Sequence, residues 1–181
     1  MILLMHRSSI RWRLTQIIAA LGIAAGVIAG FPASASAVHY LLGSDAVGSG
    51  PEIDWVDNTK YDTARSYAQN LWVPLNCVNI TPDTLFTIAD LYWEDYSAND
   101  GYLAYYDLGD SIYMNELGLD ASSVTRQKNV AAHEFGHALG LGHSVSGQLM
   151  WSNVQSYTSL KGIDSQDSYD YKHLWCGGPL R

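Results

Sequence analysis

Histidine is missing from residues 40–132, cysteine occurs only at Cys77 and Cys176, and 10 basic residues stand against 18 acidic ones. Each shortage excludes something. A histidine-built metal centre cannot lie in the histidine-free stretch. An acidic chain whose Arg7, Arg11 and Arg13 all sit near its start is a poor match for a phosphate backbone, so nucleic acid is not an expected partner. The sequence also lacks internal repeats, low-complexity tracts and the spacing of an EF-hand loop, and no segment after residue 31 is apolar enough to span a bilayer. What remains is room for one ordinary domain: 181 residues, 48% of them hydrophobic, suffice for a single core and would be cramped as two.

Residues 1–37 have the parts of a secretory signal: the three arginines, an apolar run over 17–31 and the small-residue site Ala35-Ser36-Ala37. Cleavage is expected before Val38, leaving 38–181 as one exported, extracellular domain. The competing reading, an uncleaved membrane anchor, asks for about 20 apolar residues, and the run is shorter. Export leads to an oxidising compartment, where Cys77 and Cys176 are expected to form a disulfide. The alternative is two free thiols, one of them a metal ligand, and spacing alone does not decide between them.

Along the chain, Glu52 to Val56 alternates as a strand, and Asp57 or Asn58 can cap a helix over 59–73 whose stripe is Tyr61, Ala64, Ala68, Leu71 and Trp72, with Pro74 ending it. Val78 to Ile80 is a short strand, Leu85 to Tyr92 a stronger one, and 94–109 reads as a polar loop broken by an edge strand at Tyr102 to Tyr106. The carboxylates of that loop could hold calcium; solvated loop charge is the other reading. Ser111 to Asn115 is a further strand. Ser122 or Ser123 then caps a helix bearing Val124, Val130, Ala131, Phe135, Ala138 and Leu139, and Asp164 or Ser165 caps a last one bearing Tyr169, Tyr171, Leu174 and Trp175. His39, alone near the start, reads as a surface group.

The densest chemistry lies in His133-Glu134-Phe135-Gly136-His137-Ala138-Leu139-Gly140-Leu141-Gly142-His143. Histidines four apart project from one helix face and can reach one cation, and Glu134 lies one step around from them. Gly140 can take the left-handed geometry that ends a helix, returning His143 as a third ligand. Three imidazoles suit a catalytic zinc with one open position, and Glu134 suits a general base. An amphipathic helix with surface histidines is the bland reading of the first five residues alone. It loses ground with each further fixed position, Met150 included.

HExxHxxGxxH followed by a methionine resembles the metzincin metalloproteases, and Ser144 after the third histidine is similar to the matrixin branch. Phe86 to Tyr92 resembles the third strand of that family, Leu103-Ala104 its substrate edge strand, Leu149-Met150 its methionine turn and Ser165-Gln166-Asp167 the start of its last helix. The resemblance implies an α/β (α+β), zincin-like fold: a twisted, mostly parallel five-stranded sheet with an antiparallel edge strand, an active-site helix and a small C-terminal subdomain with a final helix. The catalytic domain, 38–181, would divide into an upper part, 38–143, and a lower part, 144–181. The implied activity is that of a secreted zinc endopeptidase with one catalytic zinc, protein or peptide substrates, no membrane contact after signal cleavage and a monomeric state. Trp151, Val154 and Tyr157 are the implied wall of the pocket beyond the scissile bond.

The chain also departs from the family. The histidine-free stretch leaves nothing to bind the second, structural zinc that matrixins commonly carry, and Leu75-Asn76-Cys77-Val78 is not an inhibitory cysteine switch. A rival of another class is a catalytically silent zinc-binding protein that recognises a partner. Glu134 argues against it, because binding alone has no use for a carboxylate at the water-activating position.

Overall fold

Alternation makes Glu52–Asn58 the first strand, β1, and the apolar spacing of Asp62–Trp72 makes the first helix, α1, which buries Ala64, Ala68 and Trp72. The computed structural model describes residues 39–177, so the leader, its cleavage site and the Gly178-Pro179 stop lie outside the described residues. After α1 come β2 (Asn79–Pro82), β3 (Leu91–Tyr96), β4 (Ala104–Tyr106) and β5 (Ser111–Asn115). The short helix α2 (Glu116–Leu119), the long helix α3 (Val124–Ala138) and the last helix α4 (Ser165–Trp175) complete the fold.

The five strands form one sheet in the order β2-β1-β3-β5-β4, parallel throughout except for β4, which runs antiparallel to β5 with Tyr105 opposite Tyr113. This is the α/β architecture the sequence implies. One sheet face, carrying Ile53, Leu91, Trp93, Ile112 and Met114, is fully buried. Trp93 stacks on Phe135 of α3 with ring centroids 5.9 Å apart, which fixes that helix across the sheet. Trp72 locks α1 to α3 by donating its indole N–H to the Ala132 carbonyl at 3.0 Å. Each such side chain contributes roughly 1.5–3 kcal/mol by leaving water.

Several boundaries differ from the sequence reading. The strongest misreading is Leu85 to Tyr92. Leu85 and Phe86 are 99% and 97% exposed, and the strand is Leu91–Tyr96 instead. Thr87 donates its hydroxyl to Asp83, and the Thr84 N–H donates to the Thr87 hydroxyl, so side chains draw the backbone into a turn before the sheet begins. Phe86 to Tyr92 is therefore mostly loop, and Glu94, Asp95 and Tyr96, expected in a loop, belong to β3. β1 runs on through Asp57 and Asn58, so neither caps α1. The N-cap is Tyr61, without a side-chain bond, and Asp57 pairs with Arg65 at 2.9 Å. The edge strand is shorter than Tyr102 to Tyr106, and Val124 at the first turn of α3 is exposed rather than part of the stripe.

The segment before β1 is tied down. His39 stacks on His173, centroids 3.7 Å apart, and its Nδ1 lies 3.1 Å from the buried carboxylate of Asp170. The Leu42 N–H donates to Gly140 and the Gly142 N–H to Tyr40. His39 is thus an anchor to α4, not a free surface group. At the other end, Cys77 and Cys176 form a disulfide with Cα atoms 5.2 Å apart, joining the approach to β2 with the C-terminus of α4.

Candidate metal centre and cleft

The site is built on the end of α3. Ser123 caps the helix by accepting the Arg126 N–H, and the last turn closes with Gly140 at φ +84, a conformation glycine adopts without a Cβ penalty. There the Leu141 N–H donates to Gly136 and the Gly140 N–H to His137, a Schellman closure that turns the chain back. This turn brings His143 alongside His133 and His137. One ligand atom from each imidazole falls within 4.8 Å of the others, and among the described residues this is the group that could hold a metal ion.

The hydrogen bonds fix which nitrogen is free. His133 Nδ1 lies 2.9 Å from the Leu149 carbonyl and His137 Nδ1 2.7 Å from the Leu141 carbonyl. A carbonyl oxygen only accepts, so each Nδ1 carries its hydrogen and each Nε2 keeps a lone pair for a ligand. Burial, above all, pushes the His133 and His137 imidazoles down to about 3 and about 4, and burial also lowers His143. Neutral rings with Nε2 lone pairs are the donor set zinc takes. Glu134 is also buried. Desolvation pushes its carboxyl up to about 8, against the pull of the Tyr106 N–H, which donates to Oε2 at 3.0 Å.

Met150 is fully buried and packs against Gly136 of the helix that carries His133 and His137. A Cβ on Gly136 would collide with Met150 Sδ and come within 3.0 Å of Trp72 Cζ2, so the fourth position of HExxH has room only for hydrogen. Gly136→Ala is therefore expected to cost roughly 1–3 kcal/mol by overpacking. Thermal melts and metal titration of the variant check this, and wild-type values for both would remove the close-packing argument.

Two supports escaped the sequence reading. Asp167 in the first turn of α4 is fully buried, accepting the Ser144 hydroxyl at 2.8 Å and the Met150 N–H at 3.0 Å, so it staples the turn between His143 and Met150 to the last helix. Asn129 on α3 donates to the Ser159 carbonyl and accepts the Lys161 N–H, holding the loop of the lower wall. An acid in a first helical turn normally reads as a solvated dipole partner, and only tertiary burial distinguishes Asp167.

A cleft of about 440 Å³ opens over the three histidines and Glu134. Its upper lip is the edge strand, with Leu103 and Ala104 lining it, and its lower wall includes Ser152, Val154 and Gln155. Val154 thus faces the cleft, whereas Trp151 and Tyr157 do not line it. Their rings pack together, centroids 5.5 Å apart, and the Tyr157 hydroxyl is occupied by the Gly147 N–H and the Gln148 carbonyl. The loop acids are likewise engaged locally. Asp107 accepts the Gly109 and Ser111 N–H groups and Asp95 the Lys60 N–H, so the calcium reading gains no ligand cluster among the described residues.

None of the curated proteins compared with the chain matches it. A family model described as Matrixin matches residues 50–176, which span the sheet, the histidine group and the last helix.

Proposed function

The chain belongs to the matrixin family of zinc metallopeptidases, and on that premise we propose that it is a secreted endopeptidase with His133, His137 and His143 as the ligands of one catalytic zinc and Glu134 as the general base. The observation that carries the reading is the convergence of three imidazoles beside a buried carboxyl group at the floor of an open cleft. When bound there, zinc supplies a Lewis acid that makes water nucleophilic near neutral pH and polarises a peptide carbonyl.

The protein's own groups do the rest. The Leu149 and Leu141 carbonyls hold two of the rings in the ligating tautomer. Glu134 orients water, accepts its proton during attack and returns that proton to the leaving amine. The substrate lies as an added antiparallel strand along β4. Leu103 and Asp107 spend backbone groups on β5, so the alternating residues Ala104 and Tyr106 turn theirs toward the cleft. Val154 forms part of the wall that meets the residue after the scissile bond.

Export is part of the proposal. It is supported by the basic start, the apolar run and Ala35-Ser36-Ala37. The division at His143 into upper and lower parts and the monomeric state are proposed with it. Dialysis against a chelator should abolish casein hydrolysis, zinc should restore it, and His143→Ala should lose the metal in elemental analysis. Undiminished hydrolysis by metal-free protein would sink the reading.

A further inference from the structure

Lysine and arginine are both absent from the whole stretch between Arg65 and Arg126, which carries nine acids: Asp83, Asp90, Glu94, Asp95, Asp100, Asp107, Asp110, Glu116 and Asp120. That stretch contributes β2 to β5 and therefore the upper lip of the cleft. Asp100 stands at one end of the edge strand, next to the lining residues Gly101 and Tyr102; Asp107 and Asp110 stand at the other, around the lining residue Leu108. All three are exposed. Across the cleft, residues 144–160 contain no charged side chain at all. Among the lining residues the only carboxylate is Glu134.

Aromatic faces accompany the charge. Tyr102 is 62% exposed and meets Tyr105 edge-on, centroids 6.3 Å apart, and Tyr105 stacks on Tyr113 at 5.1 Å. Both Tyr102 and Tyr105 line the cleft. Ring faces beside carboxylates attract ammonium and guanidinium groups by quadrupole and by charge. The negative field at the strand's far end also reaches Tyr106, whose hydroxyl is pushed up chiefly by burial and further by Asp107, Asp45 and Asp110.

We propose that the substrates are cationic polypeptides: uncharged residues flanking the scissile bond occupy the neutral cleft, and lysine or arginine side chains further out meet Asp100, Asp107 and Asp110 and the faces of Tyr102 and Tyr105. This rests on the peptidase reading and specifies its substrate class. A low-dielectric groove with one sign of charge along one lip raises the local concentration and encounter rate of the opposite charge.

The test uses the zinc-loaded protein and peptides with one shared uncharged centre, flanked by lysines, serines or glutamates. At about 0.01 M salt, where the Debye length is about 30 Å, kcat/KM should fall from lysine to serine to glutamate by about tenfold or more overall. At about 1 M salt, with a Debye length of about 3 Å, the three should converge. The triple variant Asp100→Asn, Asp107→Asn, Asp110→Asn keeps the side-chain oxygens that accept the local N–H bonds, and it should compress the ranking through KM. Equal, salt-insensitive cleavage of all three peptides overturns the proposal and leaves the peptidase reading intact, as does an undiminished ranking in the folded triple variant. If the triple variant does not fold, the salt dependence of the unaltered protein decides alone. No cleavage of any peptide by protein that holds its zinc overturns both readings.

Discussion

Glu134→Gln should retain zinc and lose kcat by about 10²–10⁴-fold, the range general acid–base catalysis supplies. The amide keeps the volume of the carboxyl and one oxygen for the Tyr106 N–H, which donates at 3.0 Å. It is not one of the three converging imidazoles, so metal analysis should read as in the unaltered protein. What it cannot do is take a proton, so KM should change little while kcat collapses. A variant with normal kcat would remove Glu134 from the mechanism.

The same substitution has a second readout in metal-free protein. Burial raises the Glu134 carboxyl from 4.5 to about 8, so its contribution to stability is complete below pH 4.5 and is lost as pH rises through 8. Glutamine escapes that loss, and metal-free Glu134→Gln should therefore be the more stable of the two above pH 8. His133 and His137 act in the opposite sense. Lowered from 6.5 to about 3 and about 4, they contribute fully above pH 6.5 and lose that contribution as pH falls through the lowered values, in both proteins alike. Urea melts across pH separate the two limbs. Parallel curves at high pH would show that the carboxyl is solvated.

The metal group was legible in the sequence because its information is local. Helical spacing brings His133 and His137 to one face, and one glycine closure returns His143, so eleven consecutive residues suffice. The sheet was legible in kind, since β1 alternates polar and apolar residues and β5 has an apolar centre between polar turns, but not in its edges or in the bounds of β3. Leu85, Phe86 and Ile88 have strand composition and yet sit in a turn, because Asp83, Thr84 and Thr87 bond to one another there. Periodicity cannot register that competition. Trp151 and Tyr157, a wall implied by the resemblance alone, do not line the cleft; their rings pack on each other. Asp167, Asn129 and the pairing of His39 with Asp170 depend on contacts between distant segments, and no local pattern announces them.

Replacing both Cys77 and Cys176 by alanine should lower stability by about 2–5 kcal/mol and the melting temperature by roughly 10–20 °C. The bond closes a loop with a sequence separation of 99 residues, and for a loop near 100 residues the chain-entropy model gives about 4.7 kcal/mol. That contribution acts on the unfolded chain, so the folded variant need not lose its shape. Tyr171 still accepts the Cys77 and Val78 N–H groups, and the Trp175 indole still donates to Leu139, holding α4 against the core. At low temperature zinc content and kcat should therefore match the unaltered protein. On warming they should fail together. α4 carries Asp167, which holds the Met150 turn, and Asp170, which holds His39 and with it the segment bonded to Gly140 and Gly142. Loosening α4 releases the histidine group from two sides, so loss of zinc should coincide with the melt rather than precede it. An unchanged melting temperature would mean the crosslink constrains nothing that the hydrogen bonds do not already hold. Zinc loss well below the melt would place the site outside the cooperative unit.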